Sequence, residues 1–388
     1  MAKERIYLDW NATAPLLETA RSAMIDALRL AGNPNSVHAE GRAARAAIEA
    51  ARRQVAALVG TVAANVIFTS GATEAANLVL TPGFRMGKAP LAIGRLYVSA
   101  IEHPAVREGG RFAADAVEEV PVTAEGLVDL EVLAARLAAH DAASGLPLVA
   151  IMAVNNETGI VQPIRQAAAI VHRHGGLLLV DAVQAAGRIP LAIDEIGADF
   201  LILSAHKIGG PKGAGALIAR GETLMPAPLI RGGGQEKGHR SGTENVAAIV
   251  GFGAAAAWAH NDIEARNAAI GALRDRLEAG MRSAAPDVVI HGAAVDRVAN
   301  TSFFTLPGLK AETGQIAFDL EGVALSAGSA CSSGKLGASH VLTAMGFDAK
   351  AGALRISLGP ATRQDEVDRA IEIFARVAGR RKVASEAA

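Results

Sequence analysis

Cysteine occurs once in 388 residues, at Cys331. A lone thiol forms no internal disulfide and no cysteine-based zinc cluster, so neither device holds this chain together. Aromatic residues make up only 4% of it, which leaves the core to alanine and aliphatic side chains. Charge of one sign is lacking as well. The 38 Lys and Arg stand against 39 Asp and Glu, a net charge of −1, without the basic excess that a nucleic acid or an anionic membrane surface calls for. No apolar run approaches the ~20 residues of a membrane span. The opening MAKERIYLDW carries charges where a secretory signal needs its apolar centre. A reducing, cytoplasmic setting is the default that follows. The phosphate loop GxxxxGK[ST] is missing, and the ten histidines form no HExxH pair.

What the chain does have is length and alternation. At 388 residues it exceeds one ordinary core, so two domains of unequal size are expected. EGRAARAAIEAARRQVAALVG repeats apolar residues at helical spacing and stops at Gly60. NVIFTS reads as a short strand, and LPLVAIMAV, GGLLLVDA and ADFLILSAH as strands buried on both faces. Strands separated by helical stretches predict an α/β fold with a mainly parallel central sheet and flanking helices. After about residue 260 the pattern changes: a long Ala/Arg/Glu helix, NTSFFTL, the strand-like GALRISLG and a last helix near 364–379, with a frayed tail beyond.

Ligands in such sheets bind beyond the carboxyl ends of the strands, and polar clusters stand at those ends. FTSGATEAAN sets Ala72 and Thr73 where a strand yields to a helix, either as an anion site or as a plain helix cap. LLLVDAVQAAG ends an apolar strand on Asp181, with Gln184 three residues on; an acid there needs a partner or caps a helix. LILSAHKIGGPKGAG gathers Ser204, His206 and Lys207, a desolvated nucleophilic amine or a solvated loop lysine. Together they suit pyridoxal phosphate, which needs a Schiff-base lysine, an acid opposite its ring nitrogen and an anion site. The window ALSAGSACSSGKLG, residues 324–337, surrounds Cys331 with small residues, where a buried thiol would have large apolar neighbours.

In order along the chain, YLDWNATAP, GNPNSVH, FTSGATEAANL, EHPAV, VNNETG, DAVQAAGRIPL, SAHKIGGPKGAGAL, GGGQEKGHRSGTEN and SAGSACSSG resemble the cysteine desulfurases. These are dimeric fold-type I pyridoxal-phosphate enzymes of the class V aminotransferase group. The resemblance runs from residue 7 to about 360 and leans to the group with a long cysteine loop, nitrogen-fixation-type branch. It implies a large α/β domain over 15–258 and a small α+β domain from 1–14 and 259–388 that carries Cys331. Lys207 would hold the cofactor and move the substrate's α-proton, Asp181 would pair with the ring nitrogen, and His103 would stack on the ring. Gln184 would bond the ring's 3-oxygen, with Asn156 near ring and substrate. Ala72, Thr73, Ser204 and His206 would bind phosphate, and Thr243 would reach the phosphate of a second copy. Arg355 would fix the carboxylate of L-cysteine. Cys331 would take the sulfur as a persulfide, pass it to an acceptor or iron–sulfur scaffold protein, and touch metal only transiently if a cluster is shared there. The sequence departs from the better-known members at Gly209 and Gly210, where those often carry a larger residue, and in a tail unlike their scaffold-docking one. A selenocysteine lyase, an aminotransferase of the same fold and a non-catalytic sulfur relay are the alternatives.

Overall fold

The structure, a computed structural model, describes residues 5–328, 339–348 and 352–386, with side chains as far as 381. Its main sheet has nine strands. Five run parallel at its centre: Val117–Val120, Ala89–Ser99, Leu146–Met152, Leu177–Asp181 and Phe200–Ser204. Antiparallel strands extend it on both sides, Gly215–Ala219 and Val66–Thr69 beyond Phe200–Ser204, Gly83–Met86 and Leu224–Pro226 beyond Ala89–Ser99. The continuous apolar runs of the sequence have their reason here. Leu178 and Val180 face one hydrophobic layer and Leu177 and Leu179 the other, because side chains alternate along a strand and helices cover both faces.

The helix expected to stop at Gly60 runs over Ala39–Leu58, and Gly60 takes the left-handed conformation (φ 62°) that ends a helix without strain. A second, four-stranded antiparallel sheet is built from Val289–Ile290, Thr301–Thr305, Leu354–Ser357 and Ser326–Ala327. Helices Ile263–Ala284, Ala311–Leu320 and Gln364–Glu386 back it around Phe304, Phe318, Ile356 and Phe374. The last helix outruns the expected end at 379: Gly379 meets open space and the Arg, Lys and Ala residues that follow are good helix formers. No described helix is long and apolar enough to cross a membrane.

Residues 6–14 join the two sheets. Ile6–Tyr7 pairs with Val323–Ala324, Asp9 bridges to Ser357, and Asn11 then turns toward the main sheet.

Candidate active site

A cavity of about 360 Å³ opens at the carboxyl ends of the central strands, within the size range of small-molecule sites. Ala72, Thr73, His103, Asn156, Asp181, Gln184, Ser204, His206, Lys207 and Arg355 all line it. Thr243 does not; it is exposed on the segment after Arg240, whose guanidinium pairs with Glu74 at 2.9 Å. Cys331 lies outside the described residues.

Asp181 closes the strand Leu177–Asp181 and is buried, with Oδ1 accepting from the Val183 N–H at 2.9 Å. Burial pushes its carboxyl up to about 6, while the Val183 N–H and the Lys207 charge pull the other way. Lys207 follows the next strand on a short turn, Ala205–Lys207, and its Nζ donates to the carbonyls of Asn11 (2.7 Å) and Ala12 (2.9 Å). His103 caps the helix Pro104–Arg107 by accepting the Ala105 N–H at Nδ1 (3.1 Å). Its pKa falls to about 4, first through burial and then through Lys207 and His340. The neutral ring therefore carries its proton on Nε2. His206, half-buried, meets Thr13 Oγ1 at 3.2 Å, and burial with Lys207 and Lys212 also lowers it to about 4.

The helix Ala72–Val79 starts at the cavity with no side chain capping its first turn. Its early N–H groups, with Ser204, His206 and Lys212 on the same wall, form an anion-binding donor set. The backbone comes in tightly here: a Cβ on Gly215 would lie 2.5 Å from the Gly71 carbonyl carbon, so only glycine fits at 215. A phosphate-bearing ring with an amine beneath it and an acid at its far end is the shape of ligand these groups suit. Pyridoxal phosphate fits the donor set.

Arg355 enters from the small sheet and is 3% exposed. Its Nη1 donates to the Asn156 carbonyl and its Nη2 to Asp9 Oδ1, both at 2.8 Å, while its Nε has no partner among the described residues. Gln184 donates from Nε2 to the Asn11 carbonyl (3.0 Å), and its Oε1 accepts from Arg188. That contact fixes which end of the amide donates.

The sequence reading missed three participants. Asp9 orients Arg355 and also accepts from Ser326 Oγ (2.8 Å); Asn11 supplies the carbonyl that Lys207 and Gln184 share. Glu102 is fully buried beside Asp181, with Oε1 taking the Met152 N–H at 2.6 Å and burial raising its pKa well above the ordinary carboxylate value. A charged residue inside YLDWNATAP or IEHPAV with an apolar residue before it was the available signal for Asp9 and Glu102. Asn11 meets Lys207 and Gln184 through its backbone carbonyl, which side-chain type does not reveal.

A larger cavity, about 520 Å³, lies away from the carboxyl ends of the parallel strands. Its buried charges, Arg52 and Glu236, already pair with each other at 2.6 Å. No group of three or more His, Cys, Asp or Glu among the described residues is arranged to hold a metal ion.

Known proteins resemble this chain along almost its whole length. A cysteine desulfurase from Cereibacter sphaeroides is 40% identical over 379 residues, covering 96% of this chain and 95% of that protein. An IscS-like cysteine desulfurase from Mycobacterium tuberculosis is 37% identical, covering 98% of each. The solved NifS-like protein from Rickettsia africae superposes with a TM-score of 0.86 at 35% identity, over 96% of this chain and 99% of that one. Since the Aminotransferase class-V model matches residues 6–370, from the strand that joins the two sheets to the last helix, the chain belongs to that pyridoxal-phosphate-dependent family.

Proposed function

We propose that this chain is a cysteine desulfurase, converting L-cysteine to L-alanine and leaving the sulfur on Cys331 as a persulfide. The observation that carries this is likeness along 96% of the chain to the cysteine desulfurase of Cereibacter sphaeroides, at 40% identity. The convergence of Lys207, Asp181, His103 and Arg355 on one cavity supports it. Atoms balance without an outside oxidant: the substrate's carbon–sulfur bond breaks, a sulfur–sulfur bond to Cys331 forms, and the thiol proton ends on alanine.

Pyridoxal phosphate, when bound, supplies the electron sink that weakens bonds at the substrate's α-carbon. In this reading Lys207 holds the cofactor through Nζ and afterwards moves the α-proton. Asp181 keeps the ring nitrogen protonated, and Gln184 donates to the ring oxygen. His103 covers the ring's face with a neutral imidazole. Ala72, Thr73, Ser204 and His206 hold the phosphate at the uncapped helix end. Arg355 grips the substrate carboxylate, oriented for it by Asp9 and the Asn156 carbonyl. Cys331 attacks sulfur as a thiolate.

The proposed working unit is a homodimer in the cytoplasm, with Thr243 of each copy completing the other's phosphate site; the exposure of Thr243, away from its own cavity, supports this. We assign residues 15–258 to a large domain, and 1–14 with 259–388 to a small one. The sulfur goes to an acceptor such as an iron–sulfur scaffold protein. Purified protein incubated with L-cysteine and a thiol reductant is expected to release alanine and sulfide in equal amounts. Alanine from L-selenocysteine alone, or amino transfer to a keto acid, would replace this reading.

A further inference from the structure

Glu157 has no part in the chemistry above, yet its side chain is buried, 2% exposed, next to Asn156 on the cavity wall. A tight turn fixes it there. Asn155 Oδ1 accepts from the backbone N–H groups of Glu157 (3.0 Å) and Thr158 (2.9 Å) and from the Thr158 hydroxyl (3.1 Å). From that turn the Glu157 carboxyl reaches far along the sequence, accepting from Ser339 Oγ at 2.6 Å. Ser339 in turn caps the helix His340–Ala344 by accepting the Leu342 N–H at 3.1 Å.

Gly328 borders the same carboxyl. A Cβ at 328 would lie 3.3 Å from Glu157 Oε2 and 2.7 Å from Phe303 Cζ, so this close approach requires glycine. The Gly328 N–H is tied to the Ala353 carbonyl at 2.8 Å, one residue before the strand that holds Arg355. Gly328 and Ser339 flank residues 329–338 in sequence, and Cys331 is the third residue after Gly328. One carboxyl therefore bonds Ser339 and lies close to Gly328, the described residues on either side of the only thiol in the sequence.

We propose that Glu157 is a positioning residue for sulfur transfer: by holding Ser339 and bordering Gly328, it fixes the two described residues that flank Cys331 in the sequence. This rests on the desulfurase reading. The role needs an acceptor for the Ser339 hydroxyl and a side chain of this length, both of which glutamine retains. Burial raises the Glu157 carboxyl to about 7, opposed by the Ser339 hydroxyl and Arg355, so an amide is a close copy of its neutral form.

The test uses the holoenzyme and four variants: Glu157→Ala, Glu157→Gln, Ser339→Ala and the double alanine. Two steps are read separately. L-cysteine binding is followed by the absorbance change of the bound cofactor, and persulfide on Cys331 by mass spectrometry of quenched samples. Loss of a buried hydrogen bond to a carboxylate is expected to slow persulfide formation by about tenfold or more in Glu157→Ala and Ser339→Ala. Half-saturation by L-cysteine should stay near the wild-type value. Glu157→Gln should recover most of the rate. The double variant should be no slower than the worse single one, as for two partners of one contact. Wild-type persulfide rates in both single alanine variants overturn the positioning role while leaving the desulfurase reading intact. So does weaker L-cysteine binding with an unchanged maximal rate, which would place Glu157 with the carboxylate grip. Wild-type protein that forms no alanine overturns both.

Discussion

Replacing Asp181 by asparagine should stabilise the cofactor-free protein and at the same time weaken cofactor binding. The Asp181 carboxyl is buried at the end of an apolar strand, and burial lifts its pKa from 3.8 to about 6. A folded pKa above the unfolded one means that the folded chain holds the proton more tightly. That contribution to stability is complete below about pH 3.8 and is lost as pH rises through 6. At ~1.36 kcal/mol for each pKa unit, the loss at pH 8 is at most roughly 3 kcal/mol. Asparagine keeps an acceptor for the Val183 N–H and carries no charge. Urea unfolding of cofactor-stripped wild-type and Asp181→Asn proteins should therefore differ by up to roughly 3 kcal/mol at pH 8, the variant being the more stable. The difference should shrink toward zero near pH 4. Pyridoxal phosphate affinity should move the other way, by about 10- to 100-fold, since a charge-assisted hydrogen bond to the ring nitrogen is lost. A variant less stable than wild type at pH 8, or one that binds the cofactor equally well, would refute the reasoning.

The other expectations concern the amine, the thiol and the imidazole. Lys207→Ala should lack the visible absorption of lysine-bound cofactor and make no alanine; turnover at the wild-type rate would remove Lys207 from its role. Cys331→Ser is nearly isosteric and should retain the cofactor and its absorbance response to L-cysteine while releasing almost no alanine, because the chain has no second cysteine. Full alanine production by that variant would mean that sulfur leaves by another route. His103, at about 4 when folded and 6.5 as a free imidazole, contributes stability that is present above pH 6.5 and lost as pH falls toward 4. His103→Gln should lose less thermal stability than wild type over that window, and an identical acid profile would show that the imidazole is not desolvated.

Much of the main sheet was legible because both of its faces are covered. Burial on two sides forces an uninterrupted apolar strand, and the first polar residue after such a run has to stand at the strand's end, where the cavity is. Asp181, Ser204 and Lys207 were readable from their own segments for that reason. Arg355 carried a subtler signal. In Leu354–Ser357, Leu354 and Ile356 pack into the small core, while Arg355 and Ser357 take the opposite face toward Asp9 and Asn11. Period-two alternation says that Arg355 faces away from that core, but not what it meets there. Its role came from resemblance. Contacts made by Asp9 and Glu157 span hundreds of residues (346 from Asp9 to Arg355, 182 from Glu157 to Ser339), and no local pattern encodes a partner so far away.

Asn11 shows why such contacts matter to the site as a whole. Its N–H donates to Ser357 Oγ (3.0 Å), its Nδ2 to Thr301 Oγ1 (2.9 Å), and its Oδ1 accepts from Asn300 Nδ2 (3.0 Å), all on the side of the small sheet. Its carbonyl accepts from Lys207 and Gln184, both on turns that follow strands of the main sheet. An asparagine is the residue that can do this, since its side chain offers a donor and an acceptor at once and leaves the backbone carbonyl free to point the other way. The distance between the Arg355 guanidinium and the Lys207 amine is thus bridged by Asn11, together with the Asn156 carbonyl that Arg355 holds, and not by the general packing of two layers alone. Sub-ångström placement of reacting groups governs rate. A hydrogen-bonded strap resists the sliding that an apolar interface between the sheets would permit, because each displaced donor or acceptor would be left buried without a partner.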